Sequence, residues 1–383
     1  MNYKETRSVA GGSPVTEDYR SIDDYDNDEN IGLGSLAVQH KFNDKGHELS
    51  GSAYYKYGGH ALEYFFNDLM SLEGQRQQGH RAYETEHRET MRINLDYALP
   101  FGKGGKLEAG YQYYSYLEDG DYNMEWWDPK GQTFFWRDDI YNTFYFQEGV
   151  NSIYTILSHT WKNLEAQAGV RGEHTHTVLR SSVEGADRTK NRFEFFPSVH
   201  LGYTFPNEHR LLASYSRRTT RPQLFYMEPY ITYRDFYTAE IGNPDIRPEY
   251  SFELNYRKSF GENTVSATAF HRYRKDKIER LRVPYSAGVT LDSMSNVGHD
   301  YSTGIELSVS LHPVRWWNTT VNGNVYHYKV KNEQAAGGNT TSSTNYDILW
   351  NNLFNLGKYT RIQLDGSFVG PSVTTQGRTD AYW

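Results

Sequence analysis

The densest group of chemically capable side chains lies in the stretch EWWDPKGQTFFW at 125–136. Trp126, Trp127, Phe134, Phe135 and Trp136 surround Asp128 and a Pro-Lys-Gly turn. Aromatic faces beside a carboxylate stack on sugar rings or hold amphipathic small molecules. A second aromatic stretch, 223–238, carries Phe225, Tyr226, Tyr230, Tyr233, Phe236 and Tyr237. The candidate ligand-binding residues are therefore Trp126, Trp127, Phe135, Trp136, Tyr226, Tyr230 and Tyr233, with a small molecule or a glycan as the ligand. The competing expectation is that both stretches fold back and bury their own rings.

Other spacings carry weaker chemistry. Arg217, Arg218 and Arg221, and then Arg272, Arg274, Lys275, Lys277, Arg280 and Arg282, form two basic runs. Such runs hold phosphates or steer an anionic ligand; solvated loop charge is the plain alternative. Asp24, Asp26 and Asp28 alternate like the opening of a calcium loop, but Glu29 and Ser35 stand where that loop needs Gly and Glu. A solvated acidic loop at 23–29 is the expectation, with a looser calcium site as the alternative. His174 and His176 share one side of a strand, a chelating arrangement only with a third ligand; none is identified. No metal or cofactor is assigned. Neither G-x-S-x-G nor H-E-x-x-H occurs, and Lys106 is followed by Leu107 rather than Ser or Thr. No catalytic residue is assigned, and the chain is read as a non-enzyme.

The elements that must position these residues show a rhythm. Seven times, two strand-like runs flank a tight turn, at 43–46, 101–105, 162–163, 206–207, 261–263, 313–315 and 356–358. Long polar loops fall between the pairs, near 59–86, 118–149, 177–191, 220–248, 276–299 and 330–343. Within the runs apolar and polar residues alternate. Ile305, Leu307, Val309 and Leu311 oppose Gly304, Glu306, Ser308 and Ser310; Met91, Ile93, Leu95 and Tyr97 oppose Arg92, Asn94 and Asp96. The same alternation occurs at 164–172, 251–260 and 359–370. A period of two with one apolar face is a strand between two environments. The runs are roughly 10–13 residues, near the 9–11 that cross a bilayer at a tilt. Their polar faces carry charge in mid-strand, which the dry interface of a soluble sandwich does not accept.

Short turns on one side and long loops on the other define an all-β, antiparallel transmembrane β-barrel of the bacterial outer membrane. Composition agrees. Mean hydropathy is −0.79 and only 37% of residues are hydrophobic, yet 33 are Tyr and 8 are Trp, the residues of interfacial girdles. Tyr54, Tyr55, Tyr57, Tyr111, Tyr113, Tyr114, Trp316, Trp317, Tyr326 and Tyr328 lie near strand ends, where girdles belong. A soluble Tyr-rich sheet is the alternative. The net charge of −8 argues against a nucleic-acid partner. The partners expected instead are outer-membrane lipid, lipopolysaccharide phosphates at the basic runs, and an extracellular ligand. With no cysteine there is no disulfide framework.

One stretch narrows the family. Segment 211–249, LLASYSRRTTRPQLFYMEPYITYRDFYTAEIGNPDIRPE, resembles the TonB-dependent receptors, closest to the Bacteroidetes branch called the outer-membrane β-barrel family. The matching elements are YSRR at 215–218, Arg221 with Pro222, GNP at 242–244 and RPE at 247–249; Ile246 stands where Leu is more usual. DSMSNVGHDYSTGIELSVS at 292–310 is similar to the family's next hairpin. The resemblance is specific over 211–311. It implies a 22-stranded barrel around a plug domain that contacts the energy-coupling protein TonB, and uptake of a siderophore, oligosaccharide or peptide.

The first residues, MNYKETRSVAGG, are not a signal peptide, and no plug is present. The strand count is about fourteen, with two partial strands. The expectation is that residues 1–383 are one barrel domain belonging to a longer protein, with TonB reached only through the missing plug. A complete sixteen-stranded barrel is the rival, and the terminal Trp383 favours it. A scaffold, adhesin or assembly barrel without gated transport is the alternative function.

Overall fold

Alternating sequence makes one element repeatedly here, a strand that must pair on both sides. A computed structural model describes residues 2–7, 15–206, 209–245, 249–251, 256–260, 263–286, 288–334 and 338–383. The strands are β1 (Asn2–Arg7), β2 (Val15–Lys41), β3 (Glu48–Met70), β4 (Arg76–Phe101), β5 (Gly105–Asp128), β6 (Thr133–Trp136), β7 (Asn142–Trp161), β8 (Leu164–Ser181), β9 (Arg188–Thr204), β10 (His209–Ser216), β11 (Arg218–Thr220), β12 (Ile231–Tyr233), β13 (Thr238–Ile241), β14 (Glu249–Ser251), β15 (Tyr256–Phe260), β16 (Asn263–Ser286), β17 (Val289–Val314), β18 (Trp317–Asn332), β19 (Asn339–Leu356), β20 (Thr360–Val369), β21 (Ser372–Val373) and β22 (Arg378–Thr379). No helix among the described residues is long and apolar enough to cross a membrane; crossing is by strands.

From β1 to β5 each strand pairs antiparallel with the next. The meander continues through β7, β8, β9 and β10, passes to β15, and runs on to β20. The tight turns fall where the sequence places them. Lys162, with φ of 53°, and Asn163 close the β7–β8 hairpin between Trp161 and Leu164, the left-handed geometry that two-residue hairpins require. The turns predicted at 206–207 and 261–263 lie partly outside the described residues, as do Phe252 and Leu254 and the element's Ile246, Arg247 and Pro248.

Burial is inverted relative to a soluble protein. Ile153 is 68% exposed, Leu33 68%, Leu307 51% and Leu95 49%, whereas Glu86, Glu118, Glu173, Asp292 and Asp300 are buried. Apolar side chains facing out over mid-strand positions meet hydrocarbon, and charged ones face a polar lumen. Outward Trp161, Tyr203, Phe205 and Trp316 mark one interface, and outward Tyr57, Phe193 and Tyr346 the other. The girdle prediction needs correction, because adjacent rings in a strand point opposite ways. Tyr55, Tyr57 and Trp316 face outward, but Tyr328 is buried against Asp300 and Trp317 stacks on Phe354; Tyr114 lines a lumenal cavity.

The long loops are the larger correction. β4 and β17 each run 26 residues, about 85 Å at 3.3 Å per residue, far beyond a membrane crossing. β3 and β4 stay paired to Met70 and Arg76, and β16 and β17 to Ser286 and Val289. The stretches read as loops at 59–86, 276–299 and 330–343 are mostly ladder, and the acidic 23–29 stretch is strand paired to β3. Above the membrane both faces of a strand are wet, so the alternation that announces a strand disappears while its backbone pairing persists. Bulges mark the exit from the lipid band. Gly59, with φ of 152°, sits at the β3 irregularity, where an added Cβ would lie 1.9 Å from the Glu86 carbonyl oxygen.

This orientation predicts opposite outcomes for neighbouring substitutions. Leu307→Arg places a charge in lipid at a cost of about 2–4 kcal/mol and should abolish the folded, heat-modifiable band in outer-membrane fractions. Ser308→Arg, pointing beside Asn322, Asn324 and Asp347 in the lumen, should leave that band intact.

Candidate functional site

Between β11 and β14 the chain turns into the lumen instead of continuing the hairpin. Pro222 and Pro229 lack the N–H that a ladder needs. The segment makes one 3-10 turn at Leu224–Tyr226. It then forms a small hairpin, β12 with β13, and β13 lies parallel to β17. Bonds from Gly242 N to Glu228 O (2.8 Å) and from Asn243 N to Tyr226 O (2.6 Å) tie it to itself. Leu224, Met227 and Tyr230 pack against Tyr122, Met124, Phe144, Phe146 and Leu179 from β5, β7 and β8, and Met294 from β17. This apolar cluster anchors a roof across the lumen.

The seven candidate residues divide accordingly. Tyr230 is 3% exposed, stacked with Tyr122 and Phe144 at 6.2 Å each. Tyr226 is half-buried, 4.0 Å from Phe225. Tyr233 meets Trp126 edge-on at 5.6 Å, so the two aromatic stretches, distant in sequence, come together. The 125–136 stretch is a hairpin rather than a loop. Trp126 opposes Phe135 and Trp127 opposes Phe134, with Asp128 accepting from the backbone N–H groups of Lys130 and Gly131 (2.9 and 3.0 Å). Trp127 lies on Phe134 at 5.2 Å under the Arg76 guanidinium. Phe135 and Trp136 remain 45% and 50% exposed, Trp136 beside Tyr83.

Beneath the roof is a cavity of about 1090 Å³. Of the seven candidates only Tyr233 lines it. Sequence reasoning missed its carboxylates: Glu63, Glu84, Glu86, Glu118, Glu148, Glu228 and Glu240. Phe65, Tyr116, Tyr122 and Phe146 supply apolar wall, and Arg88, Arg92, Arg171, Arg221 and Arg234 the cations. The signal was the pair Glu84 and Glu86, which share a face two residues apart, but it is readable only once 76–101 is known to be strand.

Most of these charges are matched. Arg88 bridges Glu86 and Glu118, the latter at 3.3 Å. Arg221 pairs with Glu173 and Glu148, Arg171 with Glu173, and Arg234 with Glu240 at 2.6 Å. Arg92 lies over the Tyr114 ring. Glu84 and Glu228 have no ion-pair partner among the described residues. Outward His87, Glu89 and Asp119, polar side chains that contact one another, place this level above the lipid band. Burial, with the charges of Glu63 and Glu118, raises the Glu84 carboxyl to about 7. Burial, with the charge of Glu84, raises Glu228 to about 8.

Most side chains of the basic runs are engaged by carboxylates. Arg217 approaches Glu194 at 3.8 Å, Arg272 pairs with Glu306, Arg274 with the buried Asp300, and Arg280 and Arg282 with Asp292. His176 bonds Asn191 at 2.9 Å. Among the described residues no group of three or more His, Cys, Asp or Glu side chains could hold a metal ion.

Apolar exterior, polar lumen and a roofed mouth define a transmembrane β-barrel of the bacterial outer membrane. The sequence profile of the outer membrane protein β-barrel family matches residues 40–383, and the chain belongs to that family. No curated protein matches it in sequence. Among solved structures, the siderophore receptor PiuA from Acinetobacter baumannii aligns over 92% of this chain and 57% of its own, with TM-score 0.63 and 12% identity. The copper transporter OprC aligns over 100% and 65%, at 0.58 and 11%. The RagAB peptide transporter aligns over 91% and 48%, at 0.52 and 13%. At such identities the likeness is one of fold, and the chain spans between about half and two-thirds of these proteins' length.

The raised carboxyls fix a sign. A carboxyl protonated more readily in the folded state than in the unfolded one stabilises the fold at low pH and loses that contribution as pH rises through its folded value. Glu84→Gln should therefore raise Tm by a few degrees at pH 8 and change it little at pH 5, read by circular dichroism melts in detergent. An equal shift at both pH values would contradict the burial.

Proposed function

We propose that residues 1–383 are a single barrel domain, the barrel portion of a TonB-dependent receptor that takes up a nutrient ligand from outside the cell. The observation that carries this is the cavity. It lies above the lipid band, inside the lumen, under a roof built from the barrel's own 221–245 segment. A volume near 1000 Å³ lined by aromatic rings and a few convergent charges suits a ligand of small-molecule or short-peptide size. A scaffold barrel has no need of a mouth with unmatched carboxylates. The fold shared with siderophore, copper and peptide uptake proteins supports the same reading. Coupling runs through a plug domain and TonB. Tyr233 lines the cavity with Trp126 packed edge-on against it, and Phe135 and Trp136 are exposed for first contact.

The test is genetic. A deletion strain grown across iron, peptide and oligosaccharide sources should show a defect that the wild-type gene repairs. Thr232→Trp, which puts an indole into the cavity from β12, should not repair it, although the folded barrel reaches the outer membrane in normal amount. Loss of TonB should copy the deletion. Full repair by the Thr232→Trp gene, or repair without TonB, would point to a structural barrel instead.

A further inference from the structure

The charge balance of the cavity says which ligand it takes. This inference rests on the reading of the cavity as the ligand site. We propose that Glu84 and Glu228 together form the seat for a positively charged group, so that the ligand is a cationic amphipathic molecule of the basic-peptide class.

Four of the five lining arginines are already held by carboxylates, and the fifth, Arg92, lies over a tyrosine ring. Of the seven lining glutamates, Glu86, Glu118, Glu148 and Glu240 are paired with arginines and Glu63 contacts His60 at 3.6 Å, which leaves Glu84 and Glu228 with no ion-pair partner among the described residues. A half-buried carboxylate without a counter-ion is unfavourable, and an incoming ammonium or guanidinium relieves it. A second observation is a polar group that is not a carboxylate. The Tyr230 hydroxyl is buried, with the residue 3% exposed; it lies beside the Glu228 carboxyl and makes no hydrogen bond of good geometry. It lines a niche that shares Phe225, Glu228, Thr232 and Glu240 with the main cavity. A donor from the ligand would satisfy it.

The walls suit the rest of such a ligand. Phe65, Tyr122 and Tyr233 line the cavity, and ring faces accept both apolar groups and cations. An anionic ligand meets the opposite: the arginines are spent, and entry adds charge to a surplus of carboxylates. Glu84 and Glu228 titrate near 7 and 8, so a bound cation draws their protons off. Affinity for a cation then rises with pH between 6 and 8, and binding releases protons.

The experiment uses three coumarin-labelled peptides, N-acetyl-phenylalanyl-arginine, its neutral citrulline isostere and its glutamate counterpart, with the purified full-length protein in detergent micelles. Fluorescence anisotropy should give the arginine peptide a Kd at least about tenfold below that of the citrulline peptide at pH 8, shrinking at pH 6, with the glutamate peptide weakest. Glu84→Gln and Glu228→Gln, which keep volume and remove charge, should each reduce that ratio about threefold or more. Equal binding of the arginine and citrulline peptides, a ratio untouched by either glutamine substitution, or no binding of the arginine peptide at millimolar concentration would overturn the assignment. The comparison in the wild-type protein stands even where a variant folds poorly. Binding of all three peptides alike, blocked by Thr232→Trp, would remove the cation seat and keep the receptor reading. Binding that Thr232→Trp leaves unchanged would count against both.

Discussion

A backbone N–H or C=O facing hydrocarbon has no water to turn to, and each one left unpaired costs several kcal/mol. The chain meets that constraint with a continuous antiparallel ladder, each long strand bonded to the next from β2 to β20. Everything else follows from the pleat of those strands. Because side chains alternate, satisfying the backbone leaves one face to lipid and the other to the lumen. Leu307 and Ser308, one residue apart, live in different solvents. The lumen thus receives charged and polar side chains at a density no soluble core accepts, and they must find partners there.

Above the lipid the constraint is lifted but the ladders go on. β3, β4, β5 and β17 continue as paired strands well past the band, and their lumenal faces become the walls of a vestibule. The 221–245 segment uses those walls. Its apolar residues pack onto Tyr122, Met124 and Phe144, which are too far up to face membrane-level water and too apolar to be left in the open. The roof is therefore a consequence of strand overshoot. It closes the top of a cavity whose sides the barrel has already built.

This division explains what the sequence reveals. The lipid-facing half was legible because Met91, Leu95, Ile305 and Leu307 alternate with polar residues, and the short turns follow from residues such as Lys162 and Asn163. The vestibule was not legible, because at 63–86 and 276–299 both faces are polar and a strand there looks like a loop. Glu84 and Glu86 were visible as residues but not as one face. Trp126 and Tyr233 stand out in the sequence as aromatic, yet their contact depends on a chain segment crossing the lumen, which no local periodicity encodes. Tyr230 went the other way: its ring serves the roof, and only its hydroxyl remains for chemistry.

Compensation of charge separates structure from site within one lumen. On the β16–β18 side every buried carboxylate is neutralised: Asp300 by Arg274 and by the Tyr328 hydroxyl at 2.9 Å, and Asp292 by Arg280 and Arg282. Removing one partner there strands a charge, so those pairs hold the wall in register. On the β4–β5 side the same logic is carried through Glu86, Arg88 and Glu118 and then stops. Glu84 and Glu228 are half-buried under the roof at a cost the fold could have avoided with glutamine. Groups held in such unfavourable ionisation states collect where something binds. A barrel that matches its buried carboxylates and leaves these two half-buried ones without a cation, beside a buried tyrosine hydroxyl, has placed its missing counter-ion in the ligand.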